Sequence, residues 1–225
     1  MPTDVHPTLD SPISINQFFP FVLADSVAKR SEIRTIKRTH GLYTPAVDYW
    51  RLFRLQVVAH HQFAPGPGPS ALDTAIELAH KDRKKNYVTA VANYRRFLGR
   101  KQVGWLGQPR RGIWLADDLA VRINPELHIT IKGEPYVVKL YLRSDPKWAL
   151  NQRTANPLAY LINSSHGHLG RPLVLDVMRG RAFGLTRQGF DYESMLRAQA
   201  AAFVSLWGSQ PERPVTVGAP RAVAA

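Results

Sequence analysis

The chain has 225 residues, 44% of them hydrophobic and 10% aromatic, enough apolar material to bury a full core, so disorder is not the default. It carries no cysteine, which excludes disulfides, thiolate zinc sites and cysteine nucleophiles, and no apolar run reaches the ~20 residues of a membrane-spanning helix. The net charge of +13 has an address: ten basic residues between Lys81 and Arg111 stand against one acid, Asp82, and supply +9 of it.

Residues 1–12 hold three prolines among polar residues and read as an extended arm with no leader-peptide pattern, so a cytoplasmic protein without membrane contact is expected. From Ile13 to Phe63 the apolar residues follow a helical period, interrupted at Pro20 and at Gly41 to Pro45. The segment Ala64 to Pro69 alternates proline with glycine and alanine, so it suits neither helix nor ladder strand. It is the best boundary between a helical region, 1–66, and a main domain, 67–208.

After the connector, Ser70 followed by Asp73 resembles a capping box and opens a helical stretch reaching about Leu98, with a bend or break expected around 80–86. Tyr87, Val91, Tyr94 and Leu98 fall on one stripe, and Lys81, Lys84, Lys85, Arg95 and Arg96 on another. One face is core and the other cationic. A surface helix often carries basic residues merely as a solvated face, but this one has almost no interleaved acids, and its charge continues through Arg100, Lys101, Arg110 and Arg111.

From Gly112 the period is that of strands. Runs at 113–116, 119–123, 127–132 and 136–142 are separated by Asp117-Asp118, Asn124-Pro125 and Lys132 to Pro135, which predicts an antiparallel meander. Pro146 to about Ser164 reads as a helix that Pro157 kinks or splits. A strand at 172–177, a turn, a strand at 182–186 and an amphipathic helix from Tyr192 to Trp207 follow. The tail, 209–225, is linker-like and expected to be disordered.

The order helix, three strands, helix, strand over roughly 83–186 resembles the αβββαβ core of the PD-(D/E)XK nuclease-like superfamily, in which an acid opens the second strand and an acid-x-lysine lies on the third. The matching positions here are Pro125-Glu126 and Val137-Val138-Lys139. The resemblance implies Glu126 as a magnesium ligand and Lys139 as the charge-stabilising catalytic residue. The copy departs from the motif in two places: glutamate replaces the usual aspartate, and Val137 stands where the second metal-binding acid belongs. Magnesium-dependent hydrolysis needs converging carboxylates, so this reading calls for Asp117, Asp118, Glu134 or Asp176 to join the site. Without such help Glu126 and Glu134 only solvate the ends of a hairpin, and alternation places Lys139 on the face opposite Val138 and Leu140.

The histidines form no zinc pattern, since His60 and His61 are adjacent and His166-x-His168 is flanked by glycines. No nucleophile elbow, P-loop or dinucleotide spacing occurs, so no metal and no cofactor is expected unless the chain is a magnesium-dependent nuclease. Trp105, read as part of a Gly-Trp-Leu-Gly loop, is the aromatic best placed to stack on an unpaired base.

The expectation is therefore an α+β protein with a helical amino-terminal region and a three-to-five-stranded mixed sheet flanked by helices. It is read as a DNA- or RNA-binding protein that contacts phosphates through Lys81, Arg83, Lys84, Lys85, Arg95, Arg96, Arg100, Lys101, Arg110 and Arg111, with Trp105 beside them. The alternatives are the magnesium-dependent nuclease, and an assembly subunit whose basic face docks an acidic protein partner.

Overall fold

The computed structural model describes residues 11–39, 48–63, 70–186 and 190–209. The amino-terminal arm up to residue 10, the break at Gly41 to Pro45, the connector at 64–69 and the tail from 210 lie outside these residues. The fold is α+β, with two sheets and, among the described residues, seven α-helices.

Chain order begins with a two-residue strand, β1 (Ile13–Ser14), and three helices, α1 (Ile15–Leu23), α2 (Ser26–Thr39) and α3 (Arg51–Gln62). Pro20 lies inside α1 without ending it. It is the sixth residue of the helix, so the carbonyl it deprives of a donor belongs to exposed Asn16 in the first turn. The helical stretch from Ser70 to about Leu98, in which a bend or break is expected around 80–86, is two helices, α4 (Ala71–Glu77) and α5 (Lys81–Leu98). Ser70 caps α4 by accepting from Asp73 N–H. The break falls at 78–80, where His80 turns extended and becomes the N-cap of α5.

Residues 104–107, expected as a Gly-Trp-Leu-Gly loop, belong to strand β2 (Val103–Gly107). β3 (Gly112–Ala116), β4 (Leu119–Ile123), β5 (Leu127–Ile131) and β6 (Glu134–Tyr141) lie where alternation puts strands, yet they are not one meander. β3 and β4 pair with each other and with β1 in a sheet of order β1-β4-β3, while β5 and β6 join a second sheet of order β2-β5-β6-β7-β8. The hairpin is thus an insertion between the first and second strands of the larger sheet.

A short 3-10 turn (Pro146–Trp148) precedes α6 (Gln152–His166), which starts at an Asn151–Thr154 capping box rather than at Pro146. Pro157 does not split α6. Like Pro20 it is the sixth helical residue, and the affected carbonyl is that of exposed Arg153. β7 (Arg171–Asp176) and β8 (Arg181–Gly184) complete the larger sheet, and α7 (Tyr192–Ser209) ends the described chain. β2, β5 and β6 run antiparallel in turn, and α6 carries the chain across to β7, which is parallel to β6. With α5 in front, this is the αβββαβ order.

Both faces of the five-stranded sheet are covered. Leu127, Ile129, Val138 and Leu140 pack against α3, α4 and α5, whereas Val137, Tyr141 and Val174 pack against α1, α6, α7 and the small sheet. Helices from the first sixty residues therefore share each core with elements from the rest of the chain. No helix among the described residues is long and apolar enough to cross a membrane.

Candidate functional site

α5 turns Tyr87, Ala90, Val91, Tyr94 and Phe97 into the core, and helical spacing then points the intervening residues outward. Lys81, Lys84 and Lys85 are exposed on that outer face, with Val88 and Ala92 further along it. The remaining cations of the segment are engaged differently. Arg83 lies 5.0 Å over the Tyr49 ring and donates to the Asp48 and Tyr49 carbonyls, which ties α5 to the start of α3.

Arg95 bonds the Asp73 carboxylate at 2.8 Å and Ser70 at 3.1 Å, and Arg96 donates to the Arg179 carbonyl at 3.0 Å. Lys101 folds back on Phe97, donating to its carbonyl and lying 4.8 Å over its ring. Arg100 is exposed just past the helix end. Arg110 and Arg111 are exposed in the β2–β3 loop, but the Arg110 carbonyl accepts from His166 Nε2 at 2.8 Å. They stand beside α6, which packs on the other face of the sheet from α5. The structure thus brings Lys81, Lys84, Lys85, Arg95 and Arg96 together on one helix and places the Arg110-Arg111 pair apart.

Trp105 belongs to β2 and is half buried, its ring stacked on His61 at 6.2 Å and 12°. It is not the loop-borne platform expected from its flanking glycines, because edge pairing with β5 turned that segment into a strand. Trp114 is buried and donates to Glu193.

Burial, with the neighbouring His60 adding to it, pushes the His61 imidazole down to about 4, while burial pushes the Tyr94 hydroxyl up, and the two neutral groups share a hydrogen bond between Tyr94 Oη and His61 Nε2 across 2.5 Å. The folded pKa lies below the unfolded value of 6.5, so the unfolded chain binds the proton more readily. The stability this pair contributes is complete above pH 6.5 and is lost as pH falls toward 4. Melting temperatures followed across that window should fall for the parent and fall less for His61→Gln. Parallel curves would show that this histidine does not set the dependence.

The hairpin joining β5 to β6 turns at Lys132 and Gly133, both at positive φ (53° and 85°), a two-residue turn that sets the strand register. That register pairs Leu127 with Val138 and so brings Glu126 opposite Lys139. Lys139 Nζ donates to Glu126 Oε1 at 2.7 Å and to the Asn124 carbonyl at 3.0 Å, and Leu140 N–H donates to Glu126 Oε2 at 2.8 Å. The pair does not solvate a hairpin end. Lys139 is 1% exposed and Glu126 6%.

Of the carboxylates that might have joined them, Asp176 shares the sheet face, lying opposite Tyr141 and accepting from Leu150 N–H at 3.2 Å and Arg179 Nη1 at 3.5 Å. Burial pushes its carboxyl up. Glu134 is exposed at the far end of β6, 3.6 Å from Arg171, and Asp117 and Asp118 are exposed at the tip of the inserted hairpin. Val137 is wholly buried, and Phe19 of α1 stands edge-on against Tyr141 with ring centres 5.9 Å apart, so this face is packed over. Among the described residues no group of three or more histidines, aspartates or glutamates is arranged to hold a metal ion.

Compared with known proteins, the chain matches no family model and no curated protein.

Proposed function

We propose that this chain binds DNA or RNA through phosphate contacts made by the outer face of α5. The observation that carries the reading is that Lys81, Lys84 and Lys85 stand exposed on adjacent turns, none of them paired with a carboxylate among the described residues. Unpaired ammonium groups at this density release counterions when they meet phosphates, which supplies affinity with little choice of sequence. Arg95 and Arg96 flank the patch but are already committed to Asp73 and to the Arg179 carbonyl, so the lysines carry the contact.

The test is a gel shift on duplex DNA and on single-stranded RNA at several salt concentrations. Changing Lys81, Lys84 and Lys85 together to glutamine should weaken binding and make the salt slope on duplex DNA shallower by about 2.7, at ~0.9 per phosphate contact. The melting temperature should hardly move, since exposed substitutions stay within ~0.5 kcal/mol each. Binding equal to the parent would remove the proposal.

One observation favours a second reading, the magnesium-dependent nuclease: Glu126 opens the second strand of an αβββαβ arrangement and touches Lys139 on the third. Against it, each oxygen of Glu126 is already bonded and Val137 supplies no ligand. The purified chain should therefore cleave neither DNA nor RNA with magnesium or manganese. Turnover that disappears in Glu126→Gln would establish the nuclease instead.

A further inference from the structure

The inserted hairpin leaves β3 at the edge of the small sheet, with β4 on one side and, among the described residues, no strand on the other. Its inner face is committed to the core through Trp114 and Ala116, while Ile113 is 47% exposed and Leu115 62% exposed on the outer face. Ala120, opposite Leu115, is too short to cover it. An open edge is normally guarded by a bulge, a proline or a charge within the strand. β2, an edge of the larger sheet, has such a guard in the register shift between Trp105 and Gly107. β3 has none: its register with β4 is unbroken, and Gly112–Ala116 contains neither a charge nor a proline.

The charges stand at the two ends of the strand instead, and in opposite signs. Arg110 and Arg111 precede it, and Asp117 and Asp118 turn it into β4. All four are exposed, and no ion pair or side-chain hydrogen bond engages any of them among the described residues. An antiparallel copy of this strand therefore brings cations to anions at both ends. In the symmetric register centred on Trp114, Asp117 of the second copy lies beside Arg111, Asp118 beside Arg110, and Leu115 beside Ile113.

The backbone agrees with that register. A two-residue turn makes Ala116 and Leu119 the hydrogen-bonded pair that closes it, and alternation then directs the N–H and C=O groups of Trp114 and Gly112 toward β4. Those of Ile113 and Leu115 point to the open edge, and the symmetric register sets these two residues opposite each other.

From this pattern we infer that β3 is a dimerisation edge, on which a second copy of the chain adds its own β3 antiparallel and joins the two small sheets into one. The occupant is a second copy because a strand that is only acidic or only basic satisfies one end and is repelled at the other.

The test is sedimentation equilibrium of the full chain freed of nucleic acid, so that phosphate bridging does not imitate the contact. The parent should dimerise. R110E/R111E, acidic at both ends of the strand, and D117K/D118K, basic at both ends, should each sediment as monomers, and their equimolar mixture should recover a dimer holding one of each. Lysine suits position 117, since Lys132 takes a similar positive φ in the β5–β6 turn, 53° against 47°. L115K, which places a charge on the exposed outer face of the edge, should lose the dimer while keeping the circular dichroism spectrum of the parent.

A parent that stays monomeric at the highest concentration reached would overturn the inference, whether or not another protein occupies the edge. So would charge variants that dimerise like the parent, or a mixture that stays monomeric although both components keep the parent's spectrum. Should either charge variant misfold, L115K decides alone, and a dimer undiminished in it would overturn the inference.

Discussion

Replacing Lys139 with methionine is expected to cost about 3–5 kcal/mol of folding stability, because it leaves the Glu126 carboxylate buried beside an apolar group with the Leu140 N–H donating to its other oxygen. Against a typical total of ~5–15 kcal/mol, that is enough to bring the protein near its unfolding threshold. Combining it with Glu126→Gln removes the orphaned charge while keeping an acceptor for Leu140, so the double variant should be more stable than Lys139→Met alone. Urea unfolding of the parent, both single variants and the double variant measures the coupling. Single effects that simply add, or a Lys139→Met cost below ~1 kcal/mol, would show that the pair contributes nothing to the core.

Phe203→Ala is expected to be comparably severe, about 3–5 kcal/mol. Phe203 is fully buried, and its ring meets Phe18 at 6.1 Å, Phe21 at 5.0 Å and Trp207 at 5.7 Å, so it joins α7 to α1 across the top of one core. No small side chain there can fill the space, and the surrounding helices can only partly collapse into it. Ending the chain after Thr186 goes further, since it removes Leu196, Ala200, Phe203 and Trp207 together and bares the apolar faces of α1 and α6. That shortened chain should aggregate on size-exclusion chromatography. A soluble product with a cooperative melt would place α7 outside the core.

Much of the fold was legible because its signals are local. Alternation marked β3 to β6, and Ser70 capped a helix start as its type and spacing suggest. Asn151 and Thr154 also form a capping box, which starts α6 after the short turn at Pro146, the residue from which the helical pattern itself reads. β2 was not legible: Val103, Trp105 and their glycines have little strand character alone and become a strand by pairing with β5. The division of the strands between two sheets was hidden for a related reason. β1, only two residues long, pairs with β4 from more than a hundred positions away, and no local pattern announces such a contact.

The candidate sites divide the same way. Sequence alone determined that α5 has one apolar and one cationic face, and that Glu126 and Lys139 belong on neighbouring strands, because helical period and a two-residue hairpin turn are short-range geometry. Only the tertiary structure decided what those charges are free to do. Arg83 was drawn to Tyr49, Arg95 to Asp73 and Arg96 to the β7–β8 turn. Packing on both faces of the sheet likewise turned Glu126 and Lys139 from exposed hairpin charges into an enclosed pair. The physical reason is that a charge's partner is set by distance in space, and burial by what is packed above it, and both depend on residues far away along the chain.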